Sequence, residues 1–111
     1  MIRVKICRNK EKRILSFICE GHAGYARKPG DKDVVCAAVS AVIYTALGYM
    51  HEQFKMNDFT ERDGFIEWNR PKVLEEGVSE KISVALEAMA IGIKQIERQY
   101  EKYVKIVDEE V

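Results

Sequence analysis

From Val34 to Leu47 the chain is apolar almost all round a helical wheel, broken only by Ser40 and Thr45. A helix of that kind has no polar face to offer solvent, so in a small domain it must be covered on two sides. One cover is a sheet, and the other is a second helix or another subunit. Asp33 stands just before the run as a helix N-cap, and the helix VVCAAVSAVIYTALGYMHEQF is expected to continue to about Phe54. The chain has 111 residues, 47% hydrophobic and 32% charged, which leads us to expect one folded domain over 1–111 with a single modest core.

The flanking segments supply the sheet. Ile2, Val4 and Ile6 alternate with Arg3 and Lys5, the period of a half-buried strand, and RNKEK turns into a second β-rich run from Ile14 to Glu20. Pairing Ile2 with Cys19, Val4 with Phe17 and Ile6 with Leu15 gathers six apolar side chains on one face. Residues 21 to 32, with three glycines and a proline, read as a loop. Beyond the helix, DFTERDGFIEWNR gives two short alternating strands around Asp63–Gly64, a hairpin signal, and Pro71 ends it. Ile82, Leu86, Met89, Ile93, Ile96, Tyr100 and Tyr103 then form an amphipathic stripe on a helix from about Ser79 to Tyr100 or a little beyond. Such a stripe is a core face rather than a cofactor site. The expected fold is α+β, a largely antiparallel sheet of four or five strands with two helices. The order is β-β-α-β-β-α, and YVKIVDEEV supplies the fifth strand.

Eighteen basic residues balance eighteen acidic ones, which argues against a dedicated nucleic-acid binder, because neutralising phosphates takes surplus Lys and Arg. No segment is expected to span a membrane, which takes eighteen or so uncharged residues. MIRVKICRNK is charged almost at once and lacks the apolar core of a signal peptide. Three cysteines cannot make a complete disulfide framework, so a reducing, cytoplasmic location is expected.

Cys7, Cys19, His22 and Cys36 are the possible metal ligands. In the expected register Cys7 and Cys19 lie about five residues apart along the ladder, roughly 17 Å, and on opposite faces. No metal is therefore expected, and both thiols are read as small hydrophobes. Cys36 differs. It falls in the first helical turn, where unpaired N–H groups and the positive dipole end stabilise an anion, and the thiolate is the nucleophilic form. The plainer alternative is a buried cysteine that happens to begin a helix. His22 ends the second strand between Gly21 and Gly24, and the loop that follows returns to the helix start, so imidazole and thiol can meet. A neutral histidine there can take the thiol proton and later return it to a leaving amine. His51 lies fifteen residues beyond Cys36, roughly 22 Å along the same helix, and cannot serve instead. Asp33 is first a cap and could also orient His22 or interact with the substrate backbone. Ser40, four residues on, shares the face of Cys36 and offers a hydroxyl to the thiolate or to a backbone carbonyl. Arg27, Lys28 and Lys32 make the loop basic. A phosphate at the loop and helix start is a further alternative, but the glycines lack P-loop spacing.

GHAGYA followed by GDKDVVCAAVSAV resembles the ribosomal-processing cysteine proteases of bacteria, the Prp family, and the likeness extends along the whole chain. The resemblance implies His22 as general base and Cys36 as nucleophile, with Asp33 and Ser40 supporting. Gly21, Gly24, Gly30 and Asp31 would belong to a substrate loop, whose glycine-rich composition leads us to expect that it orders only on substrate binding. It implies an endopeptidase that removes a short N-terminal extension from the twenty-seventh large-subunit ribosomal protein, cutting after an aromatic residue. Backbone N–H groups near the helix start would stabilise the oxyanion. It also implies a homodimer, and no metal or organic cofactor. A non-catalytic module that grips the same ribosomal peptide is the alternative. Thirteen residues separate His22 from Cys36, a longer loop than is usual in the family, which bears on the substrate-facing geometry.

Overall fold

The computed structural model describes residues 1–28 and 30–111, so that Pro29, within the expected loop, lies outside the described residues. The elements run β1 (Ile2–Arg8), β2 (Ile14–Glu20), α1 (Val34–Phe54), β3 (Phe59–Arg62), β4 (Phe65–Asn69), α2 (Glu76–Gln99) and β5 (Val104–Glu110). The strands form one sheet in the order β3-β4-β2-β1-β5. Three of its pairings are antiparallel, and β5 joins β1 in parallel, so the α+β reading holds with a mixed sheet.

The β1–β2 register differs from the expected one. Val4 faces Cys19 and Ile6 faces Phe17, a shift of two residues. A shift of two leaves every side chain on its original face, so alternation alone cannot choose between the two registers. An irregularity between Cys7 and Arg8 then makes Leu15 the extra residue of β2, and Ile14 rather than Leu15 turns into the core, fully buried. Cys19 and Cys7 face Val4 and Ser16, three residues apart along the ladder rather than five, and still on opposite faces.

Both helices lie on the core side of the sheet. Val35, Val39, Ile43, Ala46, Leu47 and Met50 of α1 are buried with Ile82, Leu86, Met89 and Ile93 of α2 and the inward residues of β1, β2 and β4. Val34 to His51 does hold eighteen residues without a full charge, contrary to expectation, and α1 is long and apolar enough to cross a membrane by length and composition. Its packing is that of a core helix. The second cover is only partial, because Val34 is 54% exposed and Tyr44 40%. Helix α2 begins at Glu76, earlier than expected, since its first turn carries few apolar positions to mark it. Arg70 ties its start to the sheet: Nε donates to the Ile14 carbonyl, Nη1 to the Ser79 carbonyl and hydroxyl, and Nη2 to the Ser83 hydroxyl.

Candidate active site

Strand β2 ends at Glu20, and Gly21 takes the chain out of the sheet at φ +96°. A Cβ there would stand 2.4 Å from the Met1 carbonyl oxygen, so only glycine fits. The Gly21 N–H donates to the Gly64 carbonyl at 2.8 Å, which fixes where His22 leaves the strand.

The start of α1 is held by Asp33. Its Oδ1 accepts from the N–H groups of Val35 and Cys36, both at 3.0 Å, and its Oδ2 from those of Tyr25 at 2.8 Å and Ala26 at 3.4 Å. One carboxylate therefore caps the helix and clamps the loop to it. Burial works against the charged form, but the backbone N–H bonds from Cys36, Tyr25, Ala26 and Val35 outweigh it and hold the carboxyl below its ordinary value.

Cys36 is half-buried in the first turn, and its Sγ accepts from the N–H of Ala23 at 3.2 Å. The residue after His22 thus lies directly on the thiol. Both side chains open on one cavity of about 270 Å³, lined also by Ser40, Tyr44, Phe65 and Ile66. His22 is 65% exposed there, and its Nε2 lies 3.6 Å from Asp63 Oδ2. Glu61 accepts from the Tyr44 hydroxyl; that bond first, then burial and the carboxylate's charge, pushes the phenol up to about 12 and keeps it neutral. Cys19 lines the same cavity, where burial first, then the charges of Cys36 and Glu20, pushes its thiol up to about 11.

The fold therefore brings His22, Cys36 and Ser40 to one cavity, with Asp33 beside it as cap and clamp. Among the described residues the bonds of Asp33 go to backbone N–H groups and not to His22, and Sγ is met by Ala23 rather than by the Ser40 hydroxyl. Of the expected substrate loop, Gly21 lines the cavity, whereas Gly24, Gly30 and Asp31 are exposed along the loop beyond it. Of the helix-start N–H groups expected to bind the oxyanion, those of Val35 and Cys36 are engaged by the Asp33 side chain and that of Ala37 by its carbonyl. Sequence reasoning missed Ala23, Asp63 and Gly64 at the site, although the Asp-Gly turn was itself a visible signal. His51 is exposed in the last turn of α1, away from the cavity. Among the described residues no three His, Cys, Asp or Glu side chains gather closely enough to hold a metal ion.

A thiol at a helix start and an imidazole at a strand end, opening on one cavity, are the equipment of a thiol-dependent hydrolase. The comparisons agree: the family model for cysteine protease Prp matches residues 1–105. The ribosomal processing cysteine protease Prp of Bacillus subtilis (strain 168) is 31% identical over 109 residues, covering 96% of each chain. The structure of the essential ribosomal processing protease Prp from S. aureus with a covalently linked product peptide superposes with a TM-score of 0.84 at 22% identity, over 98% of this chain and 100% of that one. The same protease with a substrate peptide gives 0.79 at 20% identity, with the same coverage. At those identities the structural likeness concerns the fold. The chain belongs to the Prp family of ribosomal processing cysteine proteases.

Proposed function

We propose that this cysteine protease removes a short N-terminal extension from the twenty-seventh large-subunit ribosomal protein, cutting after an aromatic residue, with Cys36 as nucleophile and His22 as general base. The observation that carries the dyad is the bond from Ala23 N–H to Cys36 Sγ, which brings the two ends of the loop together at one cavity. His22 takes the proton of the Cys36 thiol, and Sγ attacks the scissile carbonyl. The tetrahedral intermediate collapses as His22 gives the proton to the leaving amine, which leaves a thioester on Cys36. Water, deprotonated by the same imidazole, hydrolyses the thioester and restores the thiol. With the N–H groups of Val35, Cys36 and Ala37 engaged, Ala23 N–H, which already lies on the reacting sulfur, can turn to the oxyanion as it forms. Phe65, Ile66 and Tyr44 in the cavity wall suit an aromatic side chain on the substrate.

The family's peptide-bound structures support a peptide partner. Homodimerisation is supported by the apolar groove of about 490 Å³ between the helices, lined by Val42, Tyr49, Val84, Ala85 and Met89 among others. Val84 there is 71% exposed and continues the apolar lining of the groove, and contiguous exposed apolar surface marks an interaction site. The absence of a complete disulfide framework supports a cytoplasmic site of action. Incubating the ribosomal protein precursor with the enzyme and mapping the new N-terminus by mass spectrometry tests the substrate. A single cut after an aromatic residue is expected; cutting scattered through the chain, or none, counts against it. Light scattering of wild type and Val84→Glu tests the dimer, which the variant should dissociate.

A further inference from the structure

The Asp63–Gly64 turn has so far served only to join β3 to β4, yet both residues line the cavity that holds His22 and Cys36. The sheet brings them there. Strand β4 pairs with β2 so that Phe65 faces Glu20 and Ile66 faces Cys19, and the Gly21 N–H bond to the Gly64 carbonyl extends that ladder by one step. The imidazole of His22 then falls across the turn. A Cβ built on Gly64 would stand 2.9 Å from His22 Nε2, 3.4 Å from Cδ2 and 3.5 Å from Cε1, so the ring occupies the space that any side chain at this position would take. Gly64 has φ +68°, while Asp63 is not among the residues with positive φ. The turn itself therefore needs a left-handed residue at 64, which Asn can also supply. What Asn cannot supply is the room for the ring. Asp63 reaches the same nitrogen, with Oδ2 3.6 Å from Nε2.

Resting on the dyad proposed above, we propose that this turn is the seat that positions His22. Gly64 leaves the space in which the imidazole lies, and Asp63 sets its carboxylate on the Nε2 side of the ring at 3.6 Å, which favours the tautomer with its hydrogen there. In a neutral imidazole the tautomer is set by what the protonated nitrogen faces, so Nδ1 carries the lone pair that receives the Cys36 proton. Once the ring has taken that proton, the carboxylate and the imidazolium attract across 3.6 Å. Asp63 is 96% exposed, so water screens this attraction and its contribution is that of a surface pair. Asp63 and Gly64 are positioning residues: they act through His22 rather than on the substrate.

The test compares wild type with Asp63→Asn, Gly64→Asn and His22→Ala on the extension peptide. Thermal melting checks the fold, and side-chain ¹⁵N spectra report the tautomer of His22. Asp63→Asn should melt like wild type, shift the His22 nitrogen resonances toward the other tautomer, and lower kcat by about two- to fivefold with KM unchanged. Gly64→Asn keeps the turn but displaces the ring, and should lower kcat by about tenfold or more, as small misplacements of an acid–base group do. If Gly64→Asn does not fold, the Asp63→Asn spectra and kcat decide. Cleavage abolished by His22→Ala but unchanged in Asp63→Asn, with unaltered His22 resonances, overturns the role of the turn alone. Cleavage that survives His22→Ala overturns the dyad and this role with it.

Discussion

Replacing Asp33 by Asn separates its two jobs. Asn is as good an N-cap as Asp, so an Asn oxygen facing Val35 and Cys36 keeps the two 3.0 Å cap bonds. The amide nitrogen that replaces Oδ2 is a donor and cannot accept from Tyr25 and Ala26, which Oδ2 meets at 2.8 and 3.4 Å. Both loop amides are near solvent, where water takes over part of each lost bond, so Asp33→Asn should cost about 1 kcal/mol. Asp33→Ala loses the cap as well, another ~1 kcal/mol, for a total of about 2 kcal/mol. The carboxyl lies below its ordinary value, so its contribution is complete above about pH 4 and is lost as the pH falls through the folded-state value. Asp33→Asn should remove that acid limb of the stability curve. Urea titrations across acid pH give the energies, and amide hydrogen exchange at Tyr25 and Ala26 gives the loop. We expect faster exchange at both amides in Asp33→Asn, and slower peptide turnover although α1 stays capped. Equal losses in the Asn and Ala variants, with both amides protected as in wild type, would show that the carboxylate only caps the helix and clamps nothing.

Phe17 is fully buried in the core and lies beside Trp68 with ring centroids 6.2 Å apart, so Phe17→Ala should cost about 3–5 kcal/mol in urea unfolding. A loss below about 1 kcal/mol, the scale of surface changes, would mean the core closes over the gap. The Cys19 thiol is raised from 9.0 to about 11 by burial, so it stays neutral in the folded chain while the unfolded chain ionises. Stability is complete below the unfolded value and falls as the pH climbs from about 9 to 11, by about 2–3 kcal/mol. Cys19→Ala, compared with wild type over that window, should lack this alkaline loss; parallel curves would contradict it.

Much of the fold was legible because local chemistry wrote it. Asp33 before an apolar run marked the start of α1, and Asp63–Gly64 between alternating segments marked the second hairpin. Other features were invisible for definite reasons. A two-residue register shift in β1–β2 preserves every face, so the pattern of Ile2, Val4 and Ile6 fits either pairing. The irregularity that swaps Leu15 for Ile14 has no signature in two adjacent apolar residues. Val104–Glu110 reads as a strand, but nothing local says that its partner is β1, in parallel. At the site, the types and places of His22 and Cys36 could be read from the sequence, whereas the contacts that set them could not. The Ala23 N–H on the thiol follows from the path of the loop, and Asp63 reaches His22 only because β4 pairs with β2.

The dyad is tested most directly by incubating a peptide that spans the ribosomal extension and its aromatic cleavage point with wild type, Cys36→Ala, His22→Ala and Cys19→Ala, and weighing the products by mass spectrometry. Wild type and Cys19→Ala should each yield the same two fragments, and the Cys36 and His22 variants should leave the peptide intact while melting as folded proteins. Cleavage by Cys36→Ala at the wild-type rate, or an intact peptide with every enzyme, would contradict it.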